Sequence, residues 1–116
     1  NAGKGLLTPA VEDYTAAIDL LQAHLTQQPS DMSATFALAS SYLETDPPQW
    51  NEAAVYYQMV IEDGNSLMVD RAKWYLALIY TKQGEPDQAK PLLQDLLSSA
   101  DKELARQAEK LMEETK

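Results

Sequence analysis

Few residues in this chain are of the kinds that break bonds or hold metals, so the chemistry open to it is narrow. His24 is its one histidine, and it has no cysteine. A transition-metal cluster and a Cys–His nucleophile therefore lack donors. Carboxylates are plentiful, yet Glu12-Asp13 and Glu62-Asp63 are neighbours in sequence. Adjacent side chains on a helix point to different faces, so neither pair makes the facing carboxylates of an acid–base site. Glu113-Glu114 reads as solvated tail. No phosphate-cradling glycine loop, calcium loop or nucleophile elbow occurs. The expectation is a chain without catalytic residues, metal or cofactor, in which His24 is a packed or half-exposed structural side chain.

Charge narrows the partners. Eighteen acids face nine bases, for a net charge of −9. The imbalance sits in the first half: residues 1–65 hold Lys4 against nine acids, and residues 66–116 hold eight bases against nine acids. Nucleic-acid affinity comes mainly from Lys and Arg neutralising phosphates, so this surface is expected to bind no nucleic acid. An anionic membrane surface is disfavoured on the same ground, and no direct membrane contact is expected. The acidity either steers a basic partner or serves as a solvated, soluble surface.

Length and composition set the frame for these side chains. A chain of 116 residues with 45% hydrophobic residues fits one folded domain. The longest apolar run, Trp74 to Tyr80, is far short of the ~20 residues that span a bilayer. The chain opens Asn1-Ala2-Gly3 without an initiator Met. That start reads as a processed or excised chain, with residues 1–7 disordered or left from cloning. A signal peptide or anchor upstream stays open, so compartment is not assigned. One alternative is a soluble extracytoplasmic domain of a protein anchored upstream.

Apolar residues recur at three- and four-residue spacing throughout, which predicts helices and no strands. Thr8 as N-cap and Pro9 at the first helical position open a helix to about Gln28, carrying Tyr14, Ala17, Ile18, Leu21 and Leu25 on one face. A second follows the Ser30-Asp31 cap to about Glu44, and Asp46-Pro47-Pro48 breaks the chain. The third covers Trp50 to Asp63 and ends at Gly64-Asn65, a left-handed cap pair. A fourth runs from Leu67 to Gln83, and Gly84 ends it. The fifth extends from Pro86 to Ser98 with Pro91 in a tight or bent start. The last, from Asp101 to Thr115, has a narrow apolar stripe of Leu104, Ala108, Leu111 and Met112.

These helices repeat. Ala17, Ala53 and Ala89 are 36 residues apart, as are Leu21, Tyr57 and Leu93, and Leu25, Ile61 and Leu97. Ala34, Leu38, Ala39 and Tyr42 return 38 residues later as Ala72, Leu76, Ala77 and Tyr80. A helical hairpin repeated at such a period signals a stacked solenoid. The segment Ala72-Lys73-Trp74-Tyr75-Leu76-Ala77-Leu78-Ile79-Tyr80, followed by Gly84, Ala89 and Leu93, resembles a tetratricopeptide repeat. Leu38-Ala39, Tyr42, Ala53 and Tyr57 are similar to a second copy, and Ala17, Leu21 and Pro29 to the second half of a third. The pattern departs from the family where Thr35 and Lys73 stand in its early Trp position.

The resemblance implies an all-α fold, a right-handed superhelix of about six helices stacked as hairpins. Residues 8–29 would form a half repeat, 30–65 and 66–100 two repeats, and 101–116 a capping helix. It also implies a non-catalytic module that binds a peptide or helix of a partner protein in its concave groove, and is itself a monomer. First helices line that groove in the family, which carries over to Ser33, Phe36, Ser40, Leu43 and Glu44 and to Arg71, Trp74, Leu78, Thr81 and Lys82. The peptide-binding expectation rests on Phe36, Ser40, Leu43, Arg71, Trp74, Leu78 and Lys82, with Phe36 and Trp74 as exposed aromatic anchors. Chaperone-adaptor members hold a terminal carboxylate with Lys and Asn where this chain has Phe36 and Ser40. Another repeat of those members adds Lys and Arg, and here the Arg slot beside Arg71 holds Tyr75. No binding of chaperone tails is expected. The rival reading is a structural domain of a longer protein, self-associating or acting as a spacer.

Overall fold

Why the chain folds as it does is clearest at the ends of its helices. The computed structural model describes residues 9–64 and 67–114, which form six helices and no strand. They are α1 (Pro9–Gln27), α2 (Met32–Leu43), α3 (Trp50–Asp63), α4 (Val69–Lys82), α5 (Pro86–Leu96) and α6 (Lys102–Glu114). The expected Thr8 cap, residues 1–7, Asn65 of the left-handed pair and Thr115 lie outside the described residues. Asp31 caps α2, its Oδ1 accepting the Ala34 amide at 3.1 Å. Asp101 caps α6 in the same way, accepting the amides of Glu103 and Leu104 at 3.0 and 3.2 Å. Such a cap satisfies N–H groups that the helix cannot pair itself.

Gly84 has φ +78°, and its amide reaches the Thr81 carbonyl at 3.1 Å while the Glu85 amide reaches Tyr80 at 2.8 Å. This double reach-back closes α4 and needs a residue at ease in the left-handed region. Gly64 ends α3 with φ +74°. Helix α5 runs through Pro91, and Asp87, whose carbonyl an amide at 91 would have met, is an exposed residue open to water. It stops two residues earlier than expected. The Leu97 amide turns to the Gln94 carbonyl at 3.2 Å, a tighter i−3 turn that leads into the connection.

The chain divides into two compact units, with the boundary inside α3 between Tyr56 and Tyr57. In the first unit, α1 packs on α2. Ile18 is buried, with Tyr14, Ala17, Leu21 and Leu25 half-buried around it. Leu38, Ala39 and Tyr42 of α2 are buried opposite. Buried hydroxyls in α2 are satisfied locally: Thr35 donates to the Asp31 carbonyl at 3.1 Å and Ser41 to Ala37 at 2.9 Å. Thr35 thus holds a core position that the family pattern gives to Trp, using its hydroxyl on its own helix. Tyr42 stacks on Tyr56 with centroids 5.8 Å apart, and its hydroxyl accepts from Gln22 at 2.7 Å. Burial first, then the nearby Tyr56 and Glu52, pushes the Tyr42 phenol above its ordinary pKa, so it stays neutral.

In the second unit Ala77, Ala89, Leu93, Leu96 and Ala108 form the core, with Trp74, Tyr80, Leu92, Leu111 and Met112 packed against it. Tyr57 and Tyr75 stack at 5.5 Å. Alanine at the crossings lets helix backbones approach closely, and Leu fills the groove alongside. Lys73 of α4 pairs with Asp95 of α5 at 3.2 Å. Ala53 and Ala89 are fully buried as the repeat register requires. Ala17, the third member of that series, is only half-buried. Ala89→Leu is expected to cost roughly 1–3 kcal/mol in urea unfolding, because a closed crossing has no room for three more carbons. A neutral result would contradict this crossing.

Candidate functional site

The side chains proposed to meet a partner lie on α2 and α4, the first helices of the hairpins. On α2, Phe36, Ser40 and Leu43 are half-buried along one face, while Ser33 and Glu44 at the helix ends are exposed. Thr81 of α4 is spent on its own helix, donating to the Ala77 carbonyl at 2.9 Å. Along α4, Arg71 and Lys82 are exposed and Trp74 and Leu78 half-buried, whereas Ala72 and Leu76 one step round the helix are buried. Two stripes on one helix therefore serve two purposes. The first is buried in the fold, and the second is only partly covered.

Trp74 and Leu78 meet in that space. They line a surface cavity of about 290 Å³ together with Gln107, Lys110, Leu111 and Glu114 of α6. The cavity has an apolar floor of Trp74, Leu78 and Leu111, with one base and one acid at its sides. Such walls with few polar groups suit a partner's apolar side chain. The aromatic anchors are less exposed than expected. Trp74 packs against the α4–α5–α6 core and presents only part of its ring, and Phe36 is likewise half-buried. For Trp74 the cause is the packing of α5 and α6 beside the ring, which the sequence of one helix does not reveal.

Arg71 is not in this cavity. It lines another, of about 340 Å³, with Leu67, Val69, Asp70, Ala100, Asp101 and Leu104. There the Ser99 hydroxyl donates to Asp70 Oδ2 at 2.6 Å and accepts the Asp101 amide at 3.1 Å, tying the start of α4 to the turn before α6. Lys82 lines neither cavity.

Four residues of α6 were not among the candidates: Gln107, Lys110, Leu111 and Glu114. A signal for them existed. Gln107 and Leu111 stand 33 residues after Trp74 and Leu78, the same offset that separates the starts of α4 and α6. Read as a cap, α6 offered only its buried stripe. Its polar flank turns out to wall the groove.

His24 is 44% exposed and its Nε2 lies 2.8 Å from Asp31 Oδ2, linking α1 to the cap of α2. That hydrogen bond first, then the Ala34 amide, holds the Asp31 carboxyl below its usual range. A lowered carboxyl pKa gives stability at neutral pH that is lost as pH falls through the folded value, below about 3.8. Asp31→Asn is therefore expected to lower Tm at neutral pH, with the gap to the wild type closing at strongly acid pH. A gap independent of pH would show that the charge contributes nothing.

Among the described residues, no group of three or more His, Asp or Glu is placed to hold a metal ion. Among the described residues no helix is long and apolar enough to cross a membrane. No curated protein and no solved structure matches the chain. The tetratricopeptide repeat family model matches residues 71–103, the segment that holds nearly all of α4, α5 and the turn into α6. With the hairpin of α4 and α5, the buried Ala77 and Ala89 and the reach-back turn at Gly84, residues 71–103 are similar to a tetratricopeptide repeat.

Proposed function

We propose that the chain is a non-catalytic protein-interaction module that holds a segment of a partner protein on the exposed faces of its first helices. Tetratricopeptide repeats are protein-interaction modules and in general non-catalytic. The finer reading rests on one observation, the cavity between α4 and α6 with Trp74, Leu78 and Leu111 on its floor. An apolar side chain of the partner enters there. Lys110 and Glu114 at the sides take polar or charged neighbours of that anchor. Arg71 and Lys82 on α4 are proposed as further contacts of the second unit, and Phe36, Ser40 and Leu43 on α2 as a contact surface of the first unit by itself. The partner is a protein or peptide and not a nucleic acid, because no Lys or Arg occurs between Lys4 and Arg71 to follow a phosphate backbone.

The experiment is selection of peptides from a displayed random library against the whole chain, followed by amide chemical-shift mapping. Binders are expected to share an apolar or aromatic anchor and to shift residues around Trp74, Leu78 and Leu111. Binders that leave those residues unshifted would overturn the assignment.

Self-association is the second reading, favoured by Val55 and Met59, exposed four residues apart on α3. Sedimentation velocity over a concentration series separates the two. A monomeric binder gives a constant coefficient, and a self-associating domain gives one that rises with concentration.

A further inference from the structure

The two cavities of the second unit lie along one seam between α4 and α6. Trp74 and Gln107 line one of them, as do Leu78 and Leu111, while Arg71 and Leu104 line the other. Each pair joins a residue of α4 to the residue of α6 that stands 33 positions later. Along α4, Arg71, Trp74 and Leu78 step by three and four residues, and so do Leu104, Gln107, Leu111 and Glu114 along α6. That spacing keeps each set on one face of its helix, so both cavities open on the same side of the pair. A segment lying over the Trp74 cavity therefore continues, in one direction, over the other. Arg71 and Leu78 are seven residues apart. That is about 10 Å of helix, which an extended chain covers in about three residues.

The neighbours differ in chemistry. The cavity at Trp74 balances Lys110 with Glu114, whereas the other sets two acids, Asp70 and Asp101, against one base, Arg71. One oxygen of each carboxylate is used inside the fold: Asp70 Oδ2 accepts from Ser99, and Asp101 Oδ1 from the amides of Glu103 and Leu104. This leaves Asp70 Oδ1 and Asp101 Oδ2 to an incoming donor. Leu67, Val69 and Leu104 give the same cavity an apolar wall, and Leu67 is 99% exposed. A lysine or arginine side chain suits both features, since its hydrocarbon stem covers apolar surface while its cationic head meets carboxylates. The net charge of −9 draws a basic segment toward the chain as well.

We propose that the two cavities are neighbouring subsites of one groove, and that its occupant is an extended segment of a partner protein with a lysine or arginine about three residues from its apolar anchor, a specificity that rests on the Trp74 site proposed above. The anchor enters at Trp74, Leu78 and Leu111. The cation enters the adjoining cavity and meets Asp70 and Asp101, its stem lying on Leu67 and Leu104.

The probe is a displayed library of short peptides with Leu fixed at the centre and every other position random, selected against the whole chain. Lys or Arg is expected to be enriched about two to four residues from the Leu, on one side of it. A synthetic copy of the strongest binder should shift amides in both cavities, at Asp70, Trp74 and Leu78 on α4 and at Leu104 and Leu111 on α6. Replacing its basic residue by norleucine should weaken binding by roughly tenfold, and Asp70→Asn should do the same, with little further loss when the two changes are combined. Asparagine keeps an oxygen to accept from Ser99. Leu67→Ser is the companion variant: at 99% exposure it should leave Tm unchanged and still weaken the basic peptide. Binders that shift Trp74, Leu78 and Leu111 but show no basic enrichment, or that bind Asp70→Asn as tightly as the wild type, overturn the second subsite and leave the Trp74 site standing. Binders that leave Trp74, Leu78 and Leu111 unshifted overturn both.

Discussion

Leu93→Ala is expected to lower the unfolding free energy by roughly 2–5 kcal/mol, while Leu97→Ala four residues on changes it by less than about 0.5 kcal/mol. The two leucines look alike in sequence, since both belong to series spaced at 36 residues. Their surroundings differ. Leu93 is fully buried among Ala77, Ala89, Leu96 and Ala108, and these crossings have little freedom to collapse into a void. Leu97 is 46% exposed and lies just past the last residue of α5, so truncation opens it to water instead of leaving a cavity. Domains of this size are stable by about 5–15 kcal/mol, so the first change removes a large share of the total. Urea unfolding with an unchanged m-value is the measurement. Equal effects at both positions would mean that α5 is rotated from the orientation described here.

That contrast marks how far the sequence could be read. Helix identity and most helix ends follow from short-range chemistry: Asp31 as a cap, Pro29 and Pro47 as breaks, and Gly84 in the left-handed region. Each acts through the backbone within a few residues, so no tertiary information is needed. The 36-residue register was legible for the same reason that the fold repeats, because each hairpin must present similar surfaces to its neighbours. Positions set by which neighbour is present were harder. Ala17 has the same residue type and spacing as Ala53 and Ala89, and nothing in its own helix says that it is less buried than they are. Gln107 and Lys110 belong to a helix whose polar flank reads as solvent-facing until α4 is placed beside it. The Ser99–Asp70 bond joins residues from different helix ends, with no pattern to connect them. At the candidate site, the α4 stripe was visible by periodicity. The separation of Arg71 from Trp74 into different cavities was not.

Trp74→Ala is expected to reduce affinity for a groove-binding peptide about thirtyfold or more, equivalent to roughly 2 kcal/mol. The ring forms part of the cavity floor and also leans on the core with Leu111 and Met112, so the substitution acts on binding and on stability together. Removing a fully buried Trp costs a protein roughly 3–5 kcal/mol, and a half-buried one less. A fall in Tm is therefore expected of Trp74→Ala, and loss of binding alone would not identify an anchor. Trp74→Leu separates the two effects. Leucine keeps apolar contact with the core and so most of the stability, but it lacks the broad aromatic face offered to a partner. If the groove reading holds, Trp74→Leu melts near the wild type and still loses most of the affinity. Leu78→Ala, on the same cavity wall, should weaken binding in the same direction. A Trp74→Leu variant that binds library-selected peptides as tightly as the wild type would leave Trp74 a core residue only, and the contact would have to lie elsewhere on α2 or α4.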